Sequence, residues 1–114
     1  MNDSGQDQVI LLHESMNRLI NTVKGMKKMG RLLALTDQKY KISERKESFT
    51  LHDNGVAWTA VRNLALGNET VAELKYKRDR CQYAYDTQRE LIYAIKTEIR
   101  IIEGEIRQDL GKGG

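Results

Sequence analysis

The chain has 114 residues, of which 31% are charged and 39% hydrophobic, and its formal net charge is +3. This length suits one domain, and the apolar fraction excludes a disordered chain. The charge is well below that of a dedicated polycationic DNA-binding protein. It therefore permits nucleic-acid binding without requiring it.

The single cysteine and the N-terminal sequence bear on the compartment. Cys81 has no second cysteine to pair with, which excludes a disulfide-stapled secreted scaffold. The N-terminal sequence MNDSGQDQ has neither the basic segment nor the apolar run of a signal peptide, and no apolar run is long enough to span a membrane. We therefore expect a cytoplasmic protein that does not associate with membranes.

The first half of the chain predicts one long helix. Proline is absent and strong helix formers recur throughout, which favours helices without kinks. After a predicted tail at 1–6, seam residues advance by alternating steps of three and four, which is a heptad pattern. They are Val9, Leu12, Met16, Leu19, Val23, Met26, Gly30, Leu33, Asp37, Tyr40, Glu44, Glu47 and Leu51. The pattern predicts a helix over 8–51, roughly 65 Å long at 1.5 Å per residue.

Turn signals then divide the second half. The sequence HDNG at 52–55 is a stop signal because Asn and Gly favour turn conformations. A short helix over 56–66 follows, ended by Gly67, and a second long helix over 69–110 is capped by Asn68 or Thr70. Its predicted seam consists of Val71, Leu74, Arg78, Cys81, Tyr85, Gln88, Ile92, Ile95, Ile99, Ile102 and Ile106. The final GKGG at 111–114 is predicted to be a tail.

The two seams predict an all-α fold of one domain, 1–114: an elongated, coiled-coil-like antiparallel hairpin with the short helix at its tip. The expected register sets Gly30 against Ile92, Asp37 against Tyr85 and Glu44 against Arg78. A two-helix rod has little interior, so some apolar residues would remain outside the seams and favour a homo-oligomer or a helical partner. These candidate interface residues are Ile20, Met29, Leu32, Leu91 and Ile101.

The sequence KGMKKMGR at 24–31 predicts a basic stripe. Lys24, Lys27, Lys28 and Arg31 are spaced i, i+3, i+4 and i+7, which places them on one helix face. Such a face could follow a phosphate backbone, each neutralised phosphate adding salt-dependent affinity. The alternative is that the stripe is only the solvated face of an amphipathic helix.

A second basic cluster lies in KYKRDR at 75–80. Lys75, Lys77 and Arg80 are joined there by Tyr76, and Tyr83 follows one heptad later. Exposed aromatic rings beside cations are typical of single-stranded nucleic-acid sites, where the bases stack on the rings. The alternative interpretation is that the two tyrosines cover a neighbouring subunit or lie flat on the helix.

The sequence offers little for catalysis. His13 and His52 are 39 residues apart with no further ligand at metal spacing, and Cys81 lies on a seam where a buried thiol is the usual explanation. We therefore predict no enzyme activity, no metal and no cofactor. Trp58 at the hairpin tip is expected either to close the open end of the helices or to anchor a partner.

The segment from YKISERKESF through NGVAWTAVRNLALGNETVAELKYKRDRCQYAYDTQRELIYAIKTEIRIIEGEI resembles small uncharacterised helical proteins of phages and prophages of Gram-positive bacteria. The likeness covers 40–106 and implies a location in an infected bacterial host. In layout alone, the chain is also similar to the helical recombination mediator proteins of large tailed phages, which oligomerise and bind single-stranded DNA.

Three functional hypotheses remain open from the sequence. The first is an oligomeric accessory factor in phage DNA replication or recombination that binds DNA through the two basic clusters. The second is an inhibitor or adaptor directed at a host protein, such as a defence component, with Trp58 and the outer apolar residues as its contact surface. The third is a virion or assembly component.

Overall fold

The computed structural model describes residues 4–113, which form three α-helices joined by short turns. Helix α1 comprises Ser4–Asp53, α2 comprises Trp58–Leu66 and α3 comprises Glu69–Gly113. The two long helices pair in antiparallel directions, and the part of the chain described contains no strand. The prediction of an all-α helical hairpin with a short helix at its turn is confirmed.

The long helices extend further than the sequence indicated. Helix α1 begins at Ser4, within the predicted tail, and its 50 residues make it about 75 Å long at 1.5 Å per residue. Helix α3 continues to Gly113, through most of the predicted tail at its other end. Glycine in a helix costs only about 1 kcal/mol relative to alanine, so Gly5 and Gly111 do not end these helices. Residues 1–3 and 114, also assigned to the tails, lie outside the described residues.

The turn after α1 follows the predicted stop signal. The backbone N–H of Val56 donates to the Leu51 carbonyl at 3.0 Å, and that of Gly55 donates to the His52 carbonyl at 3.0 Å. These two bonds form a Schellman motif, which requires a left-handed residue at the position of Gly55. Gly55 has a φ of 98°, which is the one positive φ among the described residues. The motif ends α1 and leaves Ala57 extended before α2.

A side-chain cap begins α3. The Asn68 side-chain oxygen accepts a hydrogen bond from the Val71 backbone N–H at 3.1 Å. Of the two predicted caps, Asn68 and Thr70, the structure therefore uses Asn68. Gly67 ends α2 with a φ of −83°, which is an ordinary right-handed value and does not depend on glycine.

The residues divide into two compact units. The first unit pairs the part of α1 up to Lys27 with the part of α3 from Asp86 onward. Its buried residues include Ile92, Ile95 and Ile102 of α3 and Ser15 of α1. Two polar contacts join the helices at the surface: Arg18 to Glu98 at 3.1 Å and Gln8 to Glu105 at 3.1 Å.

The second unit is the continuous segment Lys28–Tyr85, and it contains all of α2. Val61 and Ala65 of α2 are buried, as are Tyr40 of α1 and Val71 of α3. Here the short helix adds a third element to the pair of long helices. A small core therefore forms from side chains of three helices, which a two-helix pair cannot supply.

The predicted seam of α3 lies inward along its whole length, but the seam of α1 is partly wrong. Val9 and Met16 are exposed, whereas Ser15 is buried and Met29 is half-buried. The predicted seam missed Ser15 because its stripe of α1 is largely polar, with Thr22 and Thr36 at the same heptad position, and hydrophobic spacing does not mark it as buried. The buried stripe contains small polar side chains, which allow close approach of the bulky isoleucines of α3.

The predicted helix register is wrong by one heptad. Arg78 contacts Asp37 at 2.8 Å instead of Glu44, and Tyr85 lies against Gly30 instead of Asp37. Each partner on α1 is seven residues earlier than expected. A heptad pattern repeats every seven residues, so a slip of that size keeps both seams inward. The turn decides between the alternatives, because α2 packs Val61 and Ala65 inward instead of lengthening the hairpin.

Candidate nucleic-acid interface

The basic stripe of α1, defined as Lys24, Lys27, Lys28 and Arg31, is exposed at every position. All four residues belong to one uninterrupted helix, so their arrangement on one face depends on α1 alone. Among residues 4–113, no carboxylate lies within 4.0 Å of any of the four cationic groups. The stripe is therefore a set of cations without internal counter-charges.

The surrounding sequence of α1 strengthens this charge. Between Glu14 and Asp37 the helix carries no acidic residue. Arg18, the fifth cation of this segment, is paired with Glu98 of α3 at 3.1 Å and adds little free charge. Exposed like charges on neighbouring turns repel one another and create a positive potential that attracts anions. An anionic polymer would relieve that repulsion, whereas the fold itself gains nothing from it.

The second basic cluster differs, because the structure neutralises much of it. Lys75 pairs with Asp79 at 2.9 Å and Lys77 pairs with Glu73 at 3.5 Å, each one turn along α3. Arg80 has no carboxylate within 4.0 Å in the described residues, and its guanidinium lies over the Tyr76 ring at 5.8 Å. Of the three predicted cations, Arg80 is therefore the one left available to an external anion.

The two predicted stacking tyrosines present most of their surface to solvent. Tyr76 is 62% exposed and Tyr83 is 76% exposed. Together with Arg80 and Asp79 they line a shallow groove of about 420 Å³ on the outside of α3. The structure therefore brings Tyr76, Arg80 and Tyr83 together, and a ring stacked on either tyrosine would lie beside a cation.

The candidate interface residues are exposed with one exception. Ile20, Leu32, Leu91 and Ile101 are exposed, as expected for positions outside the seams. Met29 is the exception: it is half-buried and lines a groove with Cys81 of α3. Its assignment to an outer surface was wrong because α1 turns the neighbouring stripe toward α3.

Trp58 begins α2 and packs on the end of α1. Its ring stacks on His52 at 3.8 Å between centroids, and Phe49 meets it edge-on at 5.9 Å. His52 in turn holds the turn through a hydrogen bond from Nδ1 to the Val56 carbonyl at 3.0 Å. Trp58 nevertheless remains 54% exposed. It closes one side of the turn and presents the rest of its surface to solvent.

A cavity beside Trp58 was not anticipated from the sequence. It measures about 650 Å³ in the second unit and is lined by side chains of all three helices, among them three aromatic rings, four cations and the carboxylate of Glu44. Arg45 of α1 and Arg62 of α2 are exposed there and, among residues 4–113, have no carboxylate within 4.0 Å. The sequence signal was weak because the two arginines are 17 positions apart and α2 had to fold back to bring them to one cavity.

A half-buried charge network lies beside this cavity. Arg78 Nη1 donates to Asp37 at 2.8 Å, its Nε donates to Asp79 at 2.8 Å, and its guanidinium covers the Tyr40 ring at 4.8 Å. A hydrogen bond from Lys41, with a second from Arg78, holds the pKa of the Asp37 carboxyl below its usual range. Arg78 is therefore committed to internal partners and is a structural residue.

The residues weighed for catalysis or metal binding are scattered. His13 is exposed on α1, His52 is held by the turn, and Cys81 is a half-buried free thiol. Within the described chain no three His, Cys, Asp or Glu side chains converge to form a metal site. A search of the same residues finds no helix with the length and hydropathy needed to cross a membrane.

No protein-family model, curated protein or solved structure matches this chain.

Proposed function

We propose that this chain is a non-enzymatic helical protein that binds nucleic acid through the basic stripe of α1. The observation that carries the proposal is that Lys24, Lys27, Lys28 and Arg31 are all exposed and have no carboxylate partner among residues 4–113. A helix surface of this kind attracts phosphates and gains affinity from the counterions that binding releases.

The groove of Tyr76, Arg80 and Tyr83 favours single-stranded over double-stranded nucleic acid. Stacking on an exposed tyrosine requires an unpaired base, and the adjacent guanidinium can bind the phosphate that follows it. Lys75 and Lys77, which are paired with carboxylates, contribute less than the sequence suggested.

The biological setting is proposed from the resemblance alone. The likeness of 40–106 to small phage and prophage proteins of Gram-positive bacteria supports a proposed role inside an infected bacterial cell. An oligomeric accessory factor in phage DNA replication or recombination is the role in that setting that requires DNA binding without catalysis.

The test is DNA binding by the purified protein across a salt series. We expect binding that weakens steeply with salt, and a stronger preference for single strands. Lys27→Glu with Lys28→Glu removes two phosphate contacts, so affinity should fall about tenfold or more and the slope of log K against log salt should become shallower by about 2.

The matched control is Lys96→Glu with Arg100→Glu, which makes the same charge change at exposed positions of α3. This control should retain more than half of the wild-type affinity at moderate salt. A helical wild-type protein that fails to bind at low salt would overturn the proposal. Equal losses in the two double variants would also overturn it, since the effect would then reflect net charge instead of the stripe.

The exposed part of Trp58 supports a second candidate, a protein-directed inhibitor or adaptor. A half-exposed tryptophan beside two unpaired arginines has the composition of a binding hot spot. In this case Trp58→Ala should abolish binding of the host partner, whereas Lys27→Glu with Lys28→Glu should leave that binding unchanged. Under the DNA-binding hypothesis, Lys27→Glu with Lys28→Glu should weaken DNA binding, and Trp58→Ala should leave it unchanged.

A further inference from the structure

A second apolar stripe runs along the outside of α1 in the second unit. Leu35, Ile42 and Phe49 are spaced by one heptad and all three are exposed. Leu32, Lys39 and Lys46 precede them by three residues, at the alternating heptad position, and are exposed as well. We name these six residues the outer stripe of α1. Its spacing is that of a coiled-coil seam. Phe49, at its end, meets Trp58 of α2 edge-on at 5.9 Å, and the other five side chains are exposed.

A matching stripe lies on a flank of α3 in the first unit. Leu91, Ala94, Glu98, Ile101 and Glu105 advance by the same steps of three and four, and we name them the flank stripe of α3. Leu91, Ala94, Ile101 and Glu105 are exposed, and the Glu98 side chain is 44% exposed. The outer stripe of α1 combines apolar and basic residues, whereas the flank stripe of α3 combines apolar and acidic residues.

The two stripes agree in the order of their residues as well as in charge. On α1, Ile42 lies three residues after Lys39 and four before Lys46. On α3, Ile101 lies three residues after Glu98 and four before Glu105. Two helices side by side in the same direction place corresponding heptad positions in one layer. Both lysines would then meet glutamates at the same time, with the two isoleucines in contact between them.

We propose that the outer stripe of α1 binds the flank stripe of α3 of a second copy of this chain. The register places Lys39 beside Glu98, Ile42 beside Ile101 and Lys46 beside Glu105 of the other copy. A twofold axis generates this contact twice, which closes the assembly as a dimer. Burial of the exposed leucines and isoleucines supplies the driving force, and the ion pairs select the direction and register.

Charge also excludes the simplest alternative, in which the outer stripe of α1 pairs with itself. That arrangement would bring Lys39 and Lys46 of the two copies together, and like charges in one layer of a seam are repulsive. The contacts that the flank stripe makes within its own chain do not compete strongly with the proposed contact between two copies. Glu98 pairs with Arg18 at 3.1 Å, and Glu105 accepts a hydrogen bond from Gln8 at 3.1 Å. Both contacts lie at the surface, where such contacts contribute little to stability.

Charge reversal and charge exchange test the proposal. The mass of the full chain is measured by sedimentation over a concentration series, starting from 13.1 kDa for one copy. Lys39→Glu with Lys46→Glu, and separately Glu98→Lys with Glu105→Lys, should each weaken dimer formation by about tenfold or more, since the two favourable pairs in each of the two symmetry-related contacts become repulsive. A protein carrying all four substitutions should regain wild-type affinity within about threefold.

Lys96→Glu with Arg100→Glu serves again as the matched control, and it should leave the dimer unchanged. Circular dichroism verifies that each variant remains helical. The four-substitution protein separates an interface effect from a folding effect, because it contains every substitution that could unfold the chain. A wild-type protein that stays monomeric at high concentration would overturn the proposal. A helical four-substitution protein that fails to dimerise would overturn it as well.

Discussion

The two units use the same pair of long helices but hold them together by different means. In the first unit, a row of isoleucines on α3 faces small and apolar side chains of α1, and the polar contacts between the helices lie at the surface. In the second unit, α2 adds Val61 and Ala65 to the core, and the half-buried Arg78 joins the helices through Asp37.

This difference shows what each kind of contact can specify. Isoleucines repeated every third or fourth residue attract a partner helix strongly but accept any register that differs by a heptad. A single arginine held by two carboxylates and an aromatic ring accepts one register. The first unit therefore has the more regular apolar core, and the second unit has the contacts that fix the alignment of the hairpin.

The largest expected effect comes from breaking the core of the first unit. Ile95 is 1% exposed, so Ile95→Ala removes buried methyl groups and leaves a cavity. The free energy of unfolding should fall by about 3 kcal/mol, as measured by urea denaturation followed by circular dichroism. Leu110→Ala is the control, since Leu110 is 72% exposed and should change stability by no more than about 0.5 kcal/mol. Equal losses in the two variants would contradict the assignment of Ile95 to the core.

Two glycines of α1 allow the helix packing in the two units to be compared directly, because each lies against a different side chain. A Cβ at Gly25 in the first unit would lie 2.6 Å from the Gln88 side-chain oxygen, which is flexible and has no hydrogen-bond partner in the described residues. A Cβ at Gly30 in the second unit would lie 3.3 Å from the Tyr85 ring. Gln88 can move aside at little cost, whereas the larger Tyr85 ring must shift by a few tenths of an ångström.

We therefore expect Gly25→Ala to stabilise the protein by up to about 1 kcal/mol through higher helix propensity. Gly30→Ala should gain less, or nothing, because displacement of the ring offsets that gain. Urea denaturation of the two variants under identical conditions gives the difference. A larger gain for Gly30→Ala would show that the contact with Tyr85 is loose.

The smallest expected effect is a dependence on pH that belongs to the second unit. Hydrogen bonds from Lys41 and Arg78 lower the pKa of Asp37, and hydrogen bonds from Lys75 and Arg78 lower the pKa of Asp79. The two ionised carboxylates therefore stabilise the fold at pH values above their ordinary pKa of 3.8. This stabilisation is lost as the pH falls through the lowered pKa values of the folded state.

The urea midpoint should accordingly decrease between pH 5 and pH 2.5 in the wild-type protein. Asp37→Asn with Asp79→Asn removes both carboxylates, so its midpoint should be lower at pH 5 and should change less over the same range. An equally steep decrease in this variant would assign the pH dependence to other carboxylates.

Particular residues show how far the sequence could predict the candidate site. The exposure of Lys24, Lys27, Lys28 and Arg31 follows from helical spacing, because their face lies opposite the seam. The neutralisation of Lys75 and Lys77 could also have been inferred, since Asp79 and Glu73 lie four residues away on the same helix. The cavity of Arg45, Arg62 and Trp58 could not, because it depends on how α2 folds back.

The sequence by itself determined the helices and the positions where they are interrupted. Local chemistry sufficed for this: helix formers without proline propagate a helix, Gly55 permits the left-handed turn, and Asn68 caps α3. The inward face of α3 was also determined locally, because isoleucines at heptad spacing make it the most apolar stripe of that helix.

Only the tertiary structure decided which stripe of α1 is buried and how far the helices slide past each other. Ser15 and Met29 lie inward and Met16 outward because close packing against α3 favours the stripe with small side chains. Arg78 meets Asp37 and not Glu44 because packing of α2 against the long helices sets the effective length of the turn. Heptad periodicity is unchanged by a shift of seven residues, so no seam pattern could have supplied that choice.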